Sequence, residues 1–284
     1  MVGKLIVAVD EAQRPDLQRL AEQAVANGSP PLQEWSRARL REFAPGVRGV
    51  AALWSPGTGI VDPHSLVHWY RRQAQAAEAV ILVRHTLLAA ERCGPTWQLQ
   101  VQQADGAVTT VECDAVVNAA GLQADRVARL ACDAPDLPEH RFVKGSYFDL
   151  SGPAPAPCLV YPLPMPHLLG LGTHLTLDLA GQARLGPDTQ LVASDDDYAV
   201  DPQRGEQFLQ AARPFLADLG PERLRPGFAG IRPKLAIDRA ADFYIAEESA
   251  RGAPGWVNLL GIESPGLTAS WAIGAEVTKL LTLA

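Results

Sequence analysis

Two short apolar runs, each stopped by a glycine and followed by a helix-like segment, constrain this chain more than anything else in it. The first is Val116 to Ala119, broken at Gly121 and continued by a helix over Gln123 to Ala131. The second is Val257 to Leu260, broken at Gly261. A loop holding Ser264, Pro265 and Gly266 follows, and then an apolar segment to Leu281. A strand that delivers a small-residue turn onto a helix start is the unit of open α/β sheets, which bind ligands across the carboxyl ends of their strands. Two such units predict one sheet and one ligand straddling both turns. Ser264 with Pro265 reads as an N-cap and first-turn pair, since proline lacks an N–H that the first helical position cannot use. Gly266 then lets a ligand approach backbone N–H groups at the positive end of the helix dipole, a place that suits an anion or an electron-rich ring edge. The last helix carries small residues at Ala269, Ala272, Gly274 and Ala275 and charges only at Glu276 and Lys279, so burial on most sides is expected. A plain core helix with an ordinary cap is the alternative for that stretch taken alone.

With 284 residues the chain is long enough for two domains. Its net charge of −7 and the lack of any Lys/Arg cluster argue against a nucleic-acid surface. The four cysteines (Cys93, Cys113, Cys132, Cys158) show no metal-ligand spacing, so no metal is expected, and reduced thiols in a cytoplasmic protein are. No apolar run approaches the roughly 20 residues of a membrane span. The longest candidate, Leu159 to Leu171, is interrupted by Pro162, Pro164 and Pro166. Peripheral membrane contact stays open.

In chain order, the pattern predicts a strand over Lys4 to Val9, a helix over Arg14 to Asn27, a second short helix over Leu32 to Phe43 and a strand over Gly49 to Trp54. Gly57 and Gly59 do not complete G-x-G-x-x-G and read as turn residues before a helix opened by Asp62-Pro63 and running through Ala77. Val80 to Val83 reads as a buried strand. Trp97 to Gln102 alternates, and Asp105-Gly106 signals a hairpin returning along Val108 to Val111. The middle of the chain is of another character. Val143 to Leu150, Cys158 to Pro162, Leu168 to Leu179 and Ala183 to Gly186 read as short strands of an antiparallel sheet, followed by helix over Asp201 to Leu219. Gly227 to Leu235 and Phe243 to Ala246 then return towards the sheet of the terminal strand. The expected fold class is α/β plus antiparallel β, in two interleaved domains. One takes residues 1–55 and 133–226, the other residues 56–132 and 227–284.

Several side chains are candidates for chemistry. His174 and Thr176 lie two apart on a strand and share a face; a histidine beside a ligand accepts a proton from a substrate hydroxyl near neutrality. Arg232 is held extended by the following Pro233, and its planar fork matches a carboxylate, with Lys234 on the same side of the segment. Lys144 is a weaker third cation. Tyr147 and Tyr161 read as core, and Asp195, Asp196 and Asp197 as solvated loop.

Four blocks carry a family resemblance: VVNAAGLQADRVARLA, LVYPLP with GTHLTLDLAGQARLGPD, GFAGIRPKL, and LLGIESPGLTAS. Together they resemble the FAD-dependent oxidoreductases of the D-amino-acid-oxidase superfamily, most closely the L-2-hydroxyglutarate dehydrogenase branch, over essentially the whole chain. The resemblance implies an FAD/NAD(P)-binding-type domain interleaved with a mixed-sheet substrate domain. It also implies FAD contacts at Ala120, Gly121, Leu122, Gly261, Ile262, Ser264, Pro265, Gly266, Leu267 and Thr268. Arg232 corresponds to the arginine that clamps the substrate carboxylate, and His174 to the histidine over the flavin. The implied reaction is oxidation of an L-2-hydroxy acid to the 2-oxo acid, with a quinone or an electron-transfer protein as possible acceptor. Amine oxidation within the same superfamily, or an inactive remnant, remain alternatives. The family begins with a strand-turn-helix unit carrying G-x-G-x-x-G that receives the FAD pyrophosphate. That motif does not occur here, so the sequence is expected to be a truncated, C-terminal part of such an enzyme.

Overall fold

The computed structural model describes residues 1–132, 134–163, 172–236 and 241–283. The chain divides into two compact units, one built from residues 1–62, 144–190 and 197–230, the other from residues 63–143, 191–196 and 231–284.

The first unit is organised on a mixed sheet whose neighbours run Arg141–Leu150, Ala183–Gly186, His174–Leu177, Leu159–Pro162, Lys4–Ala8, Ala51–Ser55, Gln33–Ser36. The strands expected to be antiparallel, from Arg141–Leu150 through Leu159–Pro162, His174–Leu177 and Ala183–Gly186, pair that way. Lys4–Ala8 makes the sheet mixed, as the family resemblance implies: it lies parallel to Leu159–Pro162 and antiparallel to Ala51–Ser55, inside the sheet. Its alternation decides the faces. Leu5 and Val7 enter the main core with Val160, Leu175, Leu185, Phe208 and Leu209, whereas Ala8 faces a smaller cluster closed by Leu17 of the Arg14–Ala26 helix. Each fully buried Leu, Val or Phe of this kind contributes roughly 1.5–3 kcal/mol.

Some expected elements change. Leu32 to Phe43 is not one helix: Gln33–Ser36 is a strand paired to Ala51–Ser55, and the helix is Arg37–Phe43. Trp35 is drawn into the sheet by its stack on Trp54 (4.9 Å between centroids), and the Ser36 hydroxyl caps the helix by accepting the Arg39 N–H. Helix occupies only Gly205–Ala212 of Asp201 to Leu219, with a short 3-10 turn before it. Of the strand expected over Leu168 to Leu179, His174–Leu177 is observed, and its start up to residue 171 lies outside the described residues. The acidic run is not simply solvated. Asp197 accepts from Lys144 Nζ at 2.8 Å, and Asp195 lies 3.2 Å from Arg126. Lys144 is buried and also donates to the Ala199 carbonyl, so its charge is spent on structure.

The second unit holds a three-stranded sheet, Tyr244–Glu248, Ala253–Leu260 and Val116–Asn118, and an antiparallel sheet of Thr86–Cys93, Thr96–Gln102 and Val108–Cys113. Buried Trp97 meets buried Trp256 edge-on at 5.0 Å. Two expectations fail here. Val80 to Val83 forms no strand and is 40–82% exposed; among the described residues no strand lies beside it to complete its hydrogen bonds, and an unpaired apolar run gains nothing by extending. The terminal helix, Gly266–Leu283, is exposed along most of its length; Tyr244–Glu248 and Ala253–Leu260 pack against it, and Tyr70 of the Pro63–Ala76 helix stacks on Trp271 with its hydroxyl 3.0 Å from that of Ser270. No helix among the described residues is long and apolar enough to cross a membrane.

Candidate functional site

Val116–Asn118 and Ala253–Leu260 run parallel, with Asn118 beside Asn258 in register. Parallel neighbours end at the same edge, so the chain leaves both strands side by side through Gly121 and Gly261. Both glycines take positive φ, +60° and +69°, the left-handed region in which a side chain is strained. Each lies three residues after its asparagine, in Asn118-Ala-Ala-Gly121 and Asn258-Leu-Leu-Gly261.

The asparagines tie the strand ends together. Asn118 Nδ2 donates to Asn258 Oδ1 at 2.8 Å and to the Ala124 carbonyl at 2.7 Å. Asn258 Oδ1 also accepts from Trp256 Nε1, and Asn258 Nδ2 donates to Glu248 Oε1 at 2.8 Å. Glu248, fully buried, also accepts from Tyr244 and Arg251. A buried polar chain of this kind holds only because each member is satisfied.

Sequence reasoning missed the residue that joins the two turns. His140 Nε2 accepts the Gly261 N–H at 3.0 Å, and its Nδ1 lies 3.2 Å from the Leu122 carbonyl oxygen. A ring nitrogen that accepts an amide N–H carries no proton, so the other one donates: this is the neutral Nδ1–H ring. Nothing local in the sequence marks His140. The repeated N-x-x-G would have marked Asn118 and Asn258.

The outer lip of both turns is open. Ala120, Gly121, Ser264, Pro265, Leu267 and Thr268 are exposed, Leu122 and Ile262 are partly covered, and Gly261 and Gly266 are buried. Ser264 is not the N-cap expected of it. The helix begins at Gly266, Ala269 N–H reaches the Pro265 carbonyl, and Ser264 lies one residue further out. The Leu267 and Thr268 N–H groups at this helix start meet no acceptor among the described residues. A Cβ on Gly121 would meet nothing within 4 Å, while one on Gly266 would strike Ile262 Cγ2 at 2.6 Å. Two turns that leave adjacent parallel strands with exposed outer residues, one of them offering free N–H donors, fit the edge of a planar ring such as isoalloxazine.

Of the two cations proposed on Leu224–Lys234, Lys234 is paired with Glu263 at 2.5 Å, which anchors the second turn. Arg232, half-buried, meets no hydrogen-bond or ion-pair partner among the described residues.

His174 belongs to the first unit. Its Nδ1 lies 3.1 Å from the Gly172 carbonyl oxygen, an acceptor, so Nδ1 carries a proton. Tyr161 is not a core residue in the expected sense. It is half-buried at the core margin, and its ring stacks on His174 at 3.9 Å with the planes 13° apart. Burial pushes its phenol up to about 12. Tyr147 stacks on Phe228, itself half exposed.

A sequence profile described as FAD dependent oxidoreductase matches residues 1–280. The mitochondrial L-2-hydroxyglutarate dehydrogenase of Arabidopsis thaliana is 33% identical over 98% of this chain and 66% of its own length. That of Caenorhabditis elegans is 31% identical over 98% and 72%. The chain thus spans about two thirds of the length of these two relatives. Among solved structures, dithionite-reduced L-alpha-glycerophosphate oxidase from Mycoplasma pneumoniae, with FAD bound, superposes with a TM-score of 0.85 at 25% identity, over 99% of this chain and 73% of that one.

Proposed function

Because the chain belongs to the family of FAD-dependent oxidoreductases, we propose that it carries the ring-facing turns and the substrate side chains of an enzyme oxidising an L-2-hydroxy acid, L-2-hydroxyglutarate first among them. The observation that carries this reading is the pair of open glycine turns at one sheet edge, joined by His140. Ala120 to Leu122 and Gly261 to Thr268 would hold the isoalloxazine. When bound, FAD supplies the acceptor for the hydrogen at C2.

The chain's own residues do the rest. Arg232, with no carboxylate of its own to satisfy, binds the C1 carboxylate through its fork. His174 takes the C2 hydroxyl proton at Nε2, held in that tautomer by the Gly172 carbonyl. Lys234, neutralised by Glu263, supports the turn rather than the substrate.

The test is anaerobic mixing of the FAD-loaded chain with each enantiomer of 2-hydroxyglutarate. Bleaching of the flavin by the L form alone, with 2-oxoglutarate formed, is expected. Bleaching by glycerol 3-phosphate instead would move the chain towards the substrate named for the Mycoplasma structure, and ammonia release from an amino acid would make it an amine oxidase. Arg232→Ala should raise KM at least about tenfold with little change in melting temperature.

A further inference from the structure

We propose that Lys4 binds the distal carboxylate of a dicarboxylic 2-hydroxy acid whose hydroxyl is presented to His174. The inference rests on the function proposed above and names the class of substrate that the first unit selects.

Lys4 opens the central strand of the mixed sheet and is half-buried. No hydrogen-bond acceptor or carboxylate among the described residues contacts its ammonium, which instead lies over the Tyr161 ring, 5.3 Å from the centroid. An aromatic face compensates only part of a lysine's lost hydration. Burial accordingly lowers the Lys4 pKa, with no opposing ion pair. A protein that keeps a cation in such a place without a counter-ion has left a site for an anion.

Two further features say which anion. Lys4 forms one wall of a cavity of about 300 Å³, whose other sides include Ile6, Leu20, Ser55 and Thr58. The Ser55–Thr58 wall is held to the strand by the Val2 and Gly3 N–H groups, which both donate to the Thr58 carbonyl. The Thr58 hydroxyl donates to Ser55 at 2.9 Å, which leaves the Ser55 hydroxyl as a donor on a wall that faces the apolar Ile6 and Leu20. This combination suits a carboxylate on an alkyl chain better than a bare inorganic ion. On the other side, Tyr161 stacks directly on His174, so ammonium, aromatic face and imidazole follow one another in the same unit. A substrate with its hydroxyl at His174 and a second charge a few carbons away meets Lys4 across Tyr161; a monocarboxylic acid leaves Lys4 unsatisfied. Lys234, paired with Glu263, is not available for the second carboxylate.

The experiment compares the wild-type 284-residue chain, Lys4→Met and Lys4→Arg, each checked by circular dichroism and thermal melting. Calorimetry with glutarate and with valerate, which replaces one carboxylate by a methyl group, reads the site without any turnover. Wild type is expected to bind glutarate about tenfold or more tighter than valerate, Lys4→Met to lose that preference and Lys4→Arg to keep most of it. Equal binding of the two acids by wild type, no glutarate binding, or a preference unchanged in Lys4→Met would overturn the proposal. In the FAD-loaded protein, the ratio of kcat/KM for L-2-hydroxyglutarate over L-2-hydroxyvalerate should fall in Lys4→Met. If neither hydroxy acid reduces the flavin while glutarate binding still depends on Lys4, the reaction assignment fails and the anion site stands. If both reduce it with a ratio indifferent to Lys4, the anion site fails and the reaction stands.

Discussion

His140 Nε2 accepts the backbone N–H of Gly261, 121 residues further along the chain, at 3.0 Å in a fully buried contact. With its other nitrogen at the Leu122 carbonyl, one imidazole spans both turns that leave the central sheet. That side chain adds a direct link between the turns to the one that the Asn118–Asn258 bond makes between the strands.

Replacing His140 by alanine should remove both bonds, leave the buried Gly261 N–H and the partly covered Leu122 carbonyl without that partner and lower stability by about 1–3 kcal/mol. Hydrogen exchange at Gly261 should accelerate more than elsewhere in its strand, and FAD affinity should fall with it. Unchanged protection at Gly261 would show that His140 only fills space.

Asn258 sits between an amide and a carboxylate: it accepts from Asn118 and donates to Glu248, with no solvent access. Asn258→Asp is nearly isosteric but sets a second carboxylate against Glu248, so a loss of at least about 3 kcal/mol is expected. Urea unfolding measures it, and a loss below about 1 kcal/mol would mean that the network is not energetically coupled.

Lys234 and Glu263 should behave as one unit. If the pair serves to anchor the 261–268 turn, Lys234→Met and Glu263→Gln weaken FAD binding alike, and the double variant is little worse than either, a coupling of about 1–3 kcal/mol. A KM effect confined to Lys234→Met, with FAD affinity unchanged, would return Lys234 to the substrate.

Cys158 is fully buried, and burial pushes its thiol up to about 12. Because the folded value is raised, an unfolded chain sheds this proton at lower pH than the folded one. The thiol thus adds stability below the ordinary thiol range, and that stability is lost as pH rises through it towards 12. Alkylation at mildly alkaline pH should spare Cys158 until denaturant is added; rapid native labelling at this position would contradict the burial.

The two glycine turns were legible locally. Apolar runs stopped by glycine and followed by helix starts are short-range signals, and they located the breaks at Gly121 and Gly261; the contact residues proposed around them, out to Leu122 and Thr268, come from the family resemblance. The alternation of Lys4–Ala8 gave the strand. The same signals misled where the outcome depended on a neighbour. Val80 to Val83 has the composition of a buried strand but, among the described residues, no strand beside it to pair with, and the terminal helix has the composition of a buried one but leaves most of its length exposed.

By itself the sequence determined the elements that local physics dictates: where backbone must turn through positive φ, where a strand alternates, where a proline holds Arg232 extended. Only the tertiary structure decided which strands lie side by side, and with that which charges are spent and which are left over. Lys234 and Lys144 look as available in the sequence as Lys4 does, yet Glu263 and Asp197 reach the first two and, among the described residues, no carboxylate reaches the third. These two pairings join residues 29 and 53 positions apart. They are set by register and packing, which no short window of residues contains.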